Sequence, residues 1–332
     1  MLQIVRFVAF LAIAIFLLFL AFRDFDLARV WDDLRHARYA WLLLTLPIGV
    51  LSHIFRAWRW NLLIEPLGYK PPLTHTFYAV MSGYLANLAL PRMGEVVRCG
   101  SLTKTDKVPF DSLLGTVIVE RVVDMLTLLL LTLITFFIKI HFFGDFFKSH
   151  VFVPLGEKFA GLFSHTLALA LLGLLGMIAL LLLKIFWKDI RHIGLVRKIR
   201  EFIRGIIDGI RSIARMEHKS MFLFGTFLIC LMYFFTSWLV LFMLPETAGL
   251  SPVDGLFILV VGSFGMVIPV QGGIGAYHWI VSSALTLYGI SRETGLAVAT
   301  LAHESQTLLI LLVGGFSMIL VVLLKNKKKE SA

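Results

Sequence analysis

Six stretches of the chain, about 4–22, 41–64, 113–139, 165–187, 220–244 and 296–324, are apolar for long enough to cross a bilayer as helices, which takes ~20 residues each. Nothing else in the sequence narrows the fold as far. Hydrocarbon offers no water to a peptide group, so each segment must satisfy its own backbone hydrogen bonds, and a helix does so. Composition agrees: of 332 residues, 58% are hydrophobic and 16% charged, against roughly 25% charged in soluble domains. The chain reads as an all-α polytopic integral membrane protein, one transmembrane domain over 1–332. Nothing points to nucleic acid or to a soluble nucleotide-binding domain. The opening "MLQIVRFVAFLAIAIFLLFLAF" reads as a retained helix: its apolar run exceeds a signal core of about 7–15 residues, and "LAFRDF" is a poor cleavage site.

Two further apolar segments, about 74–90 and 253–269, are shorter. Each ends at a proline, Pro91 or Pro269, followed by glycine: Gly94 after the first, Gly272, Gly273 and Gly275 after the second. Proline and glycine interrupt helices, and irregular backbone at membrane depth must be covered by protein or line a wet cavity. These segments predict two interrupted, re-entrant helix pairs beside about six full spans. Paired broken helices of opposite sense mark the binding site in many transporters, although the two halves share no evident sequence identity.

Basic residues set the orientation. Ten Lys and Arg fall within 184–219, and four within the tail segment "KNKKKE", which opens 325–332. Both regions belong on the cytoplasmic side of an inner membrane, which places the C-terminus inside. If 74–108 is a re-entrant pair, the N-terminus is also inside, and the loop 23–39, with four arginines balanced by Asp24, Asp26, Asp32 and Asp33, lies outside. Within 188–219, Ile190, Ile193, Val196, Ile199, Ile203, Ile206, Ile210 and Ile213 recur every three or four residues between arginines. That pattern fits either a helix lying on an anionic leaflet, gaining about 1 kcal/mol per basic residue, or an ordinary basic loop that is helical.

Charges inside apolar segments carry the functional signal, because each costs ~2.5–3.5 kcal/mol at the centre of a span. "GEVVRC" sets Glu95 and Arg98 three apart, able to pair on one helix face. "VERVVDML" sets Glu120 and Asp124 four apart beside Arg121, "GAYHWIV" places Tyr277 and His278 at a helix start, and "LAHESQT" places His303, Glu304 and Gln306 in the last span. Each also has a plainer reading: a structural pair at a turn, carboxylates facing headgroups, a packed histidine. Arg56 and Arg59 in "IFRAWRWNLL" read as snorkelling to the interface, with Trp58 and Trp60 as belt residues. "HESQT" lacks the second histidine of a zinc-protease helix, since position 307 is Thr, and no other metal set or cofactor motif stands out. Cys99 and Cys230 imply no disulfide framework.

The ordered motifs "FRAWRW", "LPRMGEVVR", "VERVVDML" and "PVQGGIGAY" resemble the transmembrane domain of the lysylphosphatidylglycerol synthase family over about 10–324. The family's GE..R turn is matched by Gly94, Glu95 and Arg98, its ER..D helix by Glu120, Arg121 and Asp124, and its P-GG-G turn by Pro269, Gly272, Gly273 and Gly275. The resemblance implies a bacterial inner-membrane protein, flippase-like, that translocates or binds an aminoacyl-, glyco- or polyprenyl-phosphate lipid. Arg92, Glu95, Arg98, Glu120, Arg121, Asp124, His278, His303 and Glu304 are then the headgroup candidates. Many relatives carry glutamate soon after the glycine turn, where this chain has His278. No aminoacyltransferase domain follows, so synthesis of the lysyl-lipid is not expected. An intramembrane transferase, or an accessory subunit of lipid or glycan biosynthesis, stays open as the alternative, as does association with a second copy.

Overall fold

The computed structural model describes residues 26–90, 92–140, 142, 217–268 and 270–330. The expected spans at 4–22 and 165–187, nearly all of the basic segment 188–219, and both Pro91 and Pro269 lie outside these residues. By contacts the chain divides into two compact units, Met1–Leu131 with Arg215–Ala332, and Thr132–Ala214. The first unit holds both of the short apolar segments and all of the charged candidates.

Every regular element among the described residues is helical. They are α1 (Leu27–His36), α2 (Tyr39–Ile64), α3 (Leu73–Ala89), α4 (Met93–Asp106), α5 (Phe110–Ile138), α6 (Lys219–Val240), α7 (Pro252–Val267), α8 (Ala276–Thr286) and α9 (Arg292–Glu330). Three helical stretches are long and apolar enough to span a membrane: Tyr39–Leu67, Lys219–Met243 and Arg292–Leu324. Helix α5, with 29 residues, is about 44 Å long at ~1.5 Å per residue. Leu129 and Leu130 of α5, Phe224 and Phe227 of α6, and Leu312 and Phe316 of α9 are exposed. Such an outer surface suits lipid rather than water.

Helices α3 and α4 form a tight antiparallel hairpin. Leu90 is extended and Arg92 left-handed (φ 66°), which reverses the chain. Three contacts, each placed symmetrically about residues 90 and 91, fix the register. Asn87 Oδ1 accepts from Gly94 N at 2.7 Å. A Cβ on Gly83 would lie 3.2 Å from that of Arg98. His75 Nδ1 lies 3.0 Å from Asp106 Oδ1. A side chain at Gly94 would run into the Gly83 carbonyl and Asn87, so only glycine allows this approach.

Helices α7 and α8 form a second hairpin. Ser251 and Asp254 make a capping box behind Pro252 at the start of α7, which fixes where the helix begins. At the reversal Gly272, Gly273 and Gly275 all have positive φ, a backbone that residues with a Cβ rarely adopt. Gly265 packs on the Tyr277 backbone, and the Phe257 and Tyr288 rings meet at 5.9 Å. At ~1.5 Å per residue the four hairpin helices are about 16–26 Å long, short of the ~30 Å hydrocarbon core.

The hairpins open toward opposite ends of α2. At the open end of the first, Thr76 Oγ1 donates to Asn61 Oδ1 and Asn61 Nδ2 to the Pro71 carbonyl, near the end of α2. At the open end of the second, Trp238 Nε1 donates to the Leu250 carbonyl, and Arg38 N donates to the nearby Met243 carbonyl just before α2 begins. Their tips approach one another: a Cβ on Gly272 would lie 3.0 Å from Leu88.

Candidate functional site

Arg56 and Arg59 are three apart on α2, and Glu120 and Asp124 four apart on α5, so each pair lies along one helix face. The two faces meet. Arg56 Nη1 donates to Glu120 Oε1 at 2.7 Å and to Asp124 Oδ2 at 2.8 Å, and Arg59 Nη2 donates to Asp124 Oδ1 at 2.6 Å. Arg59 Nη2 also lies 3.4 Å from Glu120 Oε1. From α6, Tyr233 and Thr226 accept from Arg56 Nη2 and Arg59 Nη1 at 3.2 and 3.1 Å. Arg98 enters from α4, its Nη1 3.1 Å from Glu120 Oε2 and its guanidinium 4.6 Å over the Trp60 ring. Arg121 faces outward and lies 3.5 Å from Glu95 Oε1 and 3.9 Å from Asp124 Oδ2.

The snorkelling reading of Arg56 and Arg59 is therefore wrong. Arg59 and Trp60 are 0% exposed and Arg56 5%. The buried carboxylates of α5 hold both arginines inside, because a bond to an opposite charge outweighs a reach for the headgroups. The expected Glu95–Arg98 pair is also absent. Glu95 turns to Arg121 and Arg98 to Glu120, since an exposed pair three apart contributes only ~0.2–0.5 kcal/mol, whereas a buried carboxylate leaves its neighbours little choice. Exposure rises from Glu120 (0%) through Asp124 (24%) and Glu95 (25%) to Arg121 (46%). The cluster thus opens on one side. Arg92 at the hairpin tip is exposed and makes no ion pair among the described residues.

The charges do not balance. Arg56, Arg59, Arg98 and Arg121 face Glu95, Glu120 and Asp124, which leaves one arginine in excess. The buried Nε and Nη2 of Arg98 have no acceptor among the described residues, nor have the Nε atoms of Arg56 and Arg59, and Oε2 of Glu95 and of Glu120 has no hydrogen-bond donor. Buried polar atoms without partners are rare, and each calls for an explanation.

His278, His303 and Glu304 gather elsewhere, at the tip of the second hairpin. His303 Nε2 is 2.7 Å from the Gly272 carbonyl, His303 Nδ1 3.0 Å from Glu304 Oε1, and His278 Nε2 3.6 Å from the same oxygen. Their ligand-type atoms lie within 4.8 Å of one another, the spread of a metal set. However, His278 Nδ1 accepts from Gly275 N, which puts that ring's hydrogen on Nε2, the atom aimed at Glu304. The hydrogen bonding uses these groups on one another, and no metal is assigned to them.

Tyr233 and Thr226 carry no signal in the sequence. Arg56 and Arg59 do: their spacing on α2 complements that of Glu120 and Asp124. The family described as the lysylphosphatidylglycerol synthase TM region matches residues 7–314. The chain belongs to this family. Within the match lie all four arginines, the three carboxylates and both hairpins. The chain is also similar to the UPF0104 membrane protein MJ1595 of Methanocaldococcus jannaschii, 23% identical over 298 residues that make up 87% of each chain. No solved structure matches it.

Proposed function

We propose that this protein binds and translocates a polar-headgroup phospholipid, with the phosphate drawn to the arginine cluster. One observation carries the reading: a cluster with one arginine more than carboxylates, whose buried Arg98 has unfilled donors, inside a bundle whose outer surface is apolar. Guanidinium groups match phosphate geometry and remain charged at any working pH. Asp124 and Glu95, at the open side of the cluster, then accept an amine or hydroxyls of an aminoacyl or sugar head. In this reading the carboxylates hold a headgroup and do not act as acid and base.

The hairpins support translocation. Two helix pairs too short to span, opening toward opposite ends of α2 with their tips in contact, fit re-entrant elements that enter from the two faces. By the positive-inside rule, the basic residues at the end of α9 and before α6 favour the cytoplasmic face of the inner membrane for the open end of the first hairpin and for the C-terminus. Anionic lipid of that leaflet is the partner we assign to 188–219.

Leaflet exchange tests this in liposomes holding fluorescent phospholipids with plain or with aminoacylated heads. The protein should accelerate exchange of both. Asp124→Asn, where it remains folded, should slow the aminoacylated lipid more than the plain one. Equal slowing would make Asp124 structural, and no exchange above protein-free liposomes would refute translocation.

A further inference from the structure

His303 lies between two oxygen atoms, the Gly272 carbonyl at 2.7 Å from Nε2 and Glu304 Oε1 at 3.0 Å from Nδ1. A carbonyl only accepts, so Nε2 carries a hydrogen. A neutral ring would then turn its Nδ1 lone pair toward a carboxylate, two acceptors face to face. The contact needs one more proton, on Nδ1 or on Oε1. His278 does not supply it at this contact: its Nδ1 accepts from Gly275 N at 3.4 Å, and its Nε2 lies 3.6 Å from Glu304 Oε1. Glu304 is 48% exposed, so the packed interior does not enclose it.

The other elements against α9 bring no competing charge to this pair among the described residues. From α8 it meets His278 and Tyr277, whose ring lies 5.2 Å from that of His303. Asp33 of α1 bonds Thr294, near the start of α9. His53 of α2 stacks on Tyr84 of α3 at 4.7 Å, and Tyr233 of α6 and Arg98 of α4 belong to the arginine cluster.

We propose that the His303–Glu304 pair is a proton-binding latch. With its proton, His303 bonds Gly272 and Glu304 at once and holds the 271–275 turn to α9. Without it, one hydrogen serves two acceptors, one bond is lost, and a turn with three positive-φ glycines is free to shift. On the translocation reading, from which this step follows, the proton is the co-substrate that gates movement of the second hairpin tip. Because the latched form carries the extra proton, low pH favours it and rising pH releases it.

The test places a cysteine at Ile274 of the full chain in nanodiscs, with Cys99→Ala and Cys230→Ala, and measures alkylation from about pH 5 to about pH 9. Rates are taken relative to a cysteine at exposed Lys70, which removes the pH dependence of the thiol itself. The relative rate should rise with pH, by about tenfold per unit while the latched form predominates. Glu304→Gln should stay slow at every pH, because its amide donates to a neutral His303 Nδ1 and closes the latch without a proton. His303→Phe should be fast at every pH. A flat wild-type profile, or a Glu304→Gln profile like wild type, overturns the latch. Lipid exchange in matched liposomes separates the two claims. A flat profile with exchange intact sinks the latch alone, and a rising profile without exchange at any pH sinks the translocation reading.

Discussion

Glu120→Gln keeps the size of the side chain and removes one charge from the centre of the cluster. Glu120 is fully buried, bonds Arg56 at 2.7 Å and lies 3.1 Å from Arg98 and 3.4 Å from Arg59. Without its charge, four arginines face two carboxylates, and the excess of one becomes two. Taking one partner from a buried ion pair costs ~3–5 kcal/mol, since the other charge is left uncompensated. At ~1.4 kcal/mol per factor of ten, the folded-to-unfolded ratio falls roughly 10²–10⁴-fold. The control is Arg121→Gln. Arg121 is 46% exposed and its partners lie at 3.5 and 3.9 Å, so its loss should cost no more than about 1 kcal/mol. Denaturant or thermal unfolding in one lipid or detergent system compares the two. Adding Arg98→Met to Glu120→Gln should recover part of the loss, because it removes the surplus cation, and a coupling of ~0.5–3 kcal/mol is expected for groups in contact. Equal destabilisation by Glu120→Gln and Arg121→Gln would show that the cluster is not a buried electrostatic centre.

Gly94→Ala should loosen or unfold the first hairpin at a cost of ~1–3 kcal/mol, while Gly100→Ala, where a Cβ meets nothing within 4 Å, should be neutral or stabilising; unfolding curves of the two variants decide it. Arg59→Lys should destabilise although the charge is kept, because one ammonium cannot reproduce the fork that bonds Thr226 and Asp124 from separate nitrogens; equal melting of the Arg59→Lys variant and the wild-type protein would count against that geometry.

Much of this architecture is legible in the sequence. The short apolar segments 74–90 and 253–269 correspond to α3 and α7, and Gly272, Gly273 and Gly275 to a reversal, because a run of glycines interrupts a helix, whereas Gly94 stands just inside α4 after the reversal at Leu90 and Arg92. The membership of the arginine cluster is only half legible. Glu120 and Asp124 stand out by their cost in a span, yet Arg56 and Arg59 look interfacial, since a basic residue two turns from a helix end can snorkel as easily as pair. Only the crossing of α2 with α5 and α6 decides between the two. Pairing within "GEVVR" fails for a related reason. Helix spacing permits a contact, but Arg98 takes a partner on another helix. The His278–His303–Glu304 group cannot be assembled at all from positions so far apart in the chain.

The central claim is that Arg98 is held in reserve for a lipid phosphate, and Arg98→Met tests it most directly. The substitution leaves Glu120 bonded to Arg56 and near Arg59, and keeps an apolar side chain over Trp60. Stability should therefore change little. Binding of a short-chain phospholipid, measured by titration into the purified protein beside an uncharged diacylglycerol of the same chain length, is the measurement. Wild type should prefer the phospholipid, and Arg98→Met, still folded, should lose the preference. An Arg98→Met protein that keeps the wild-type preference for the phosphate would contradict the claim.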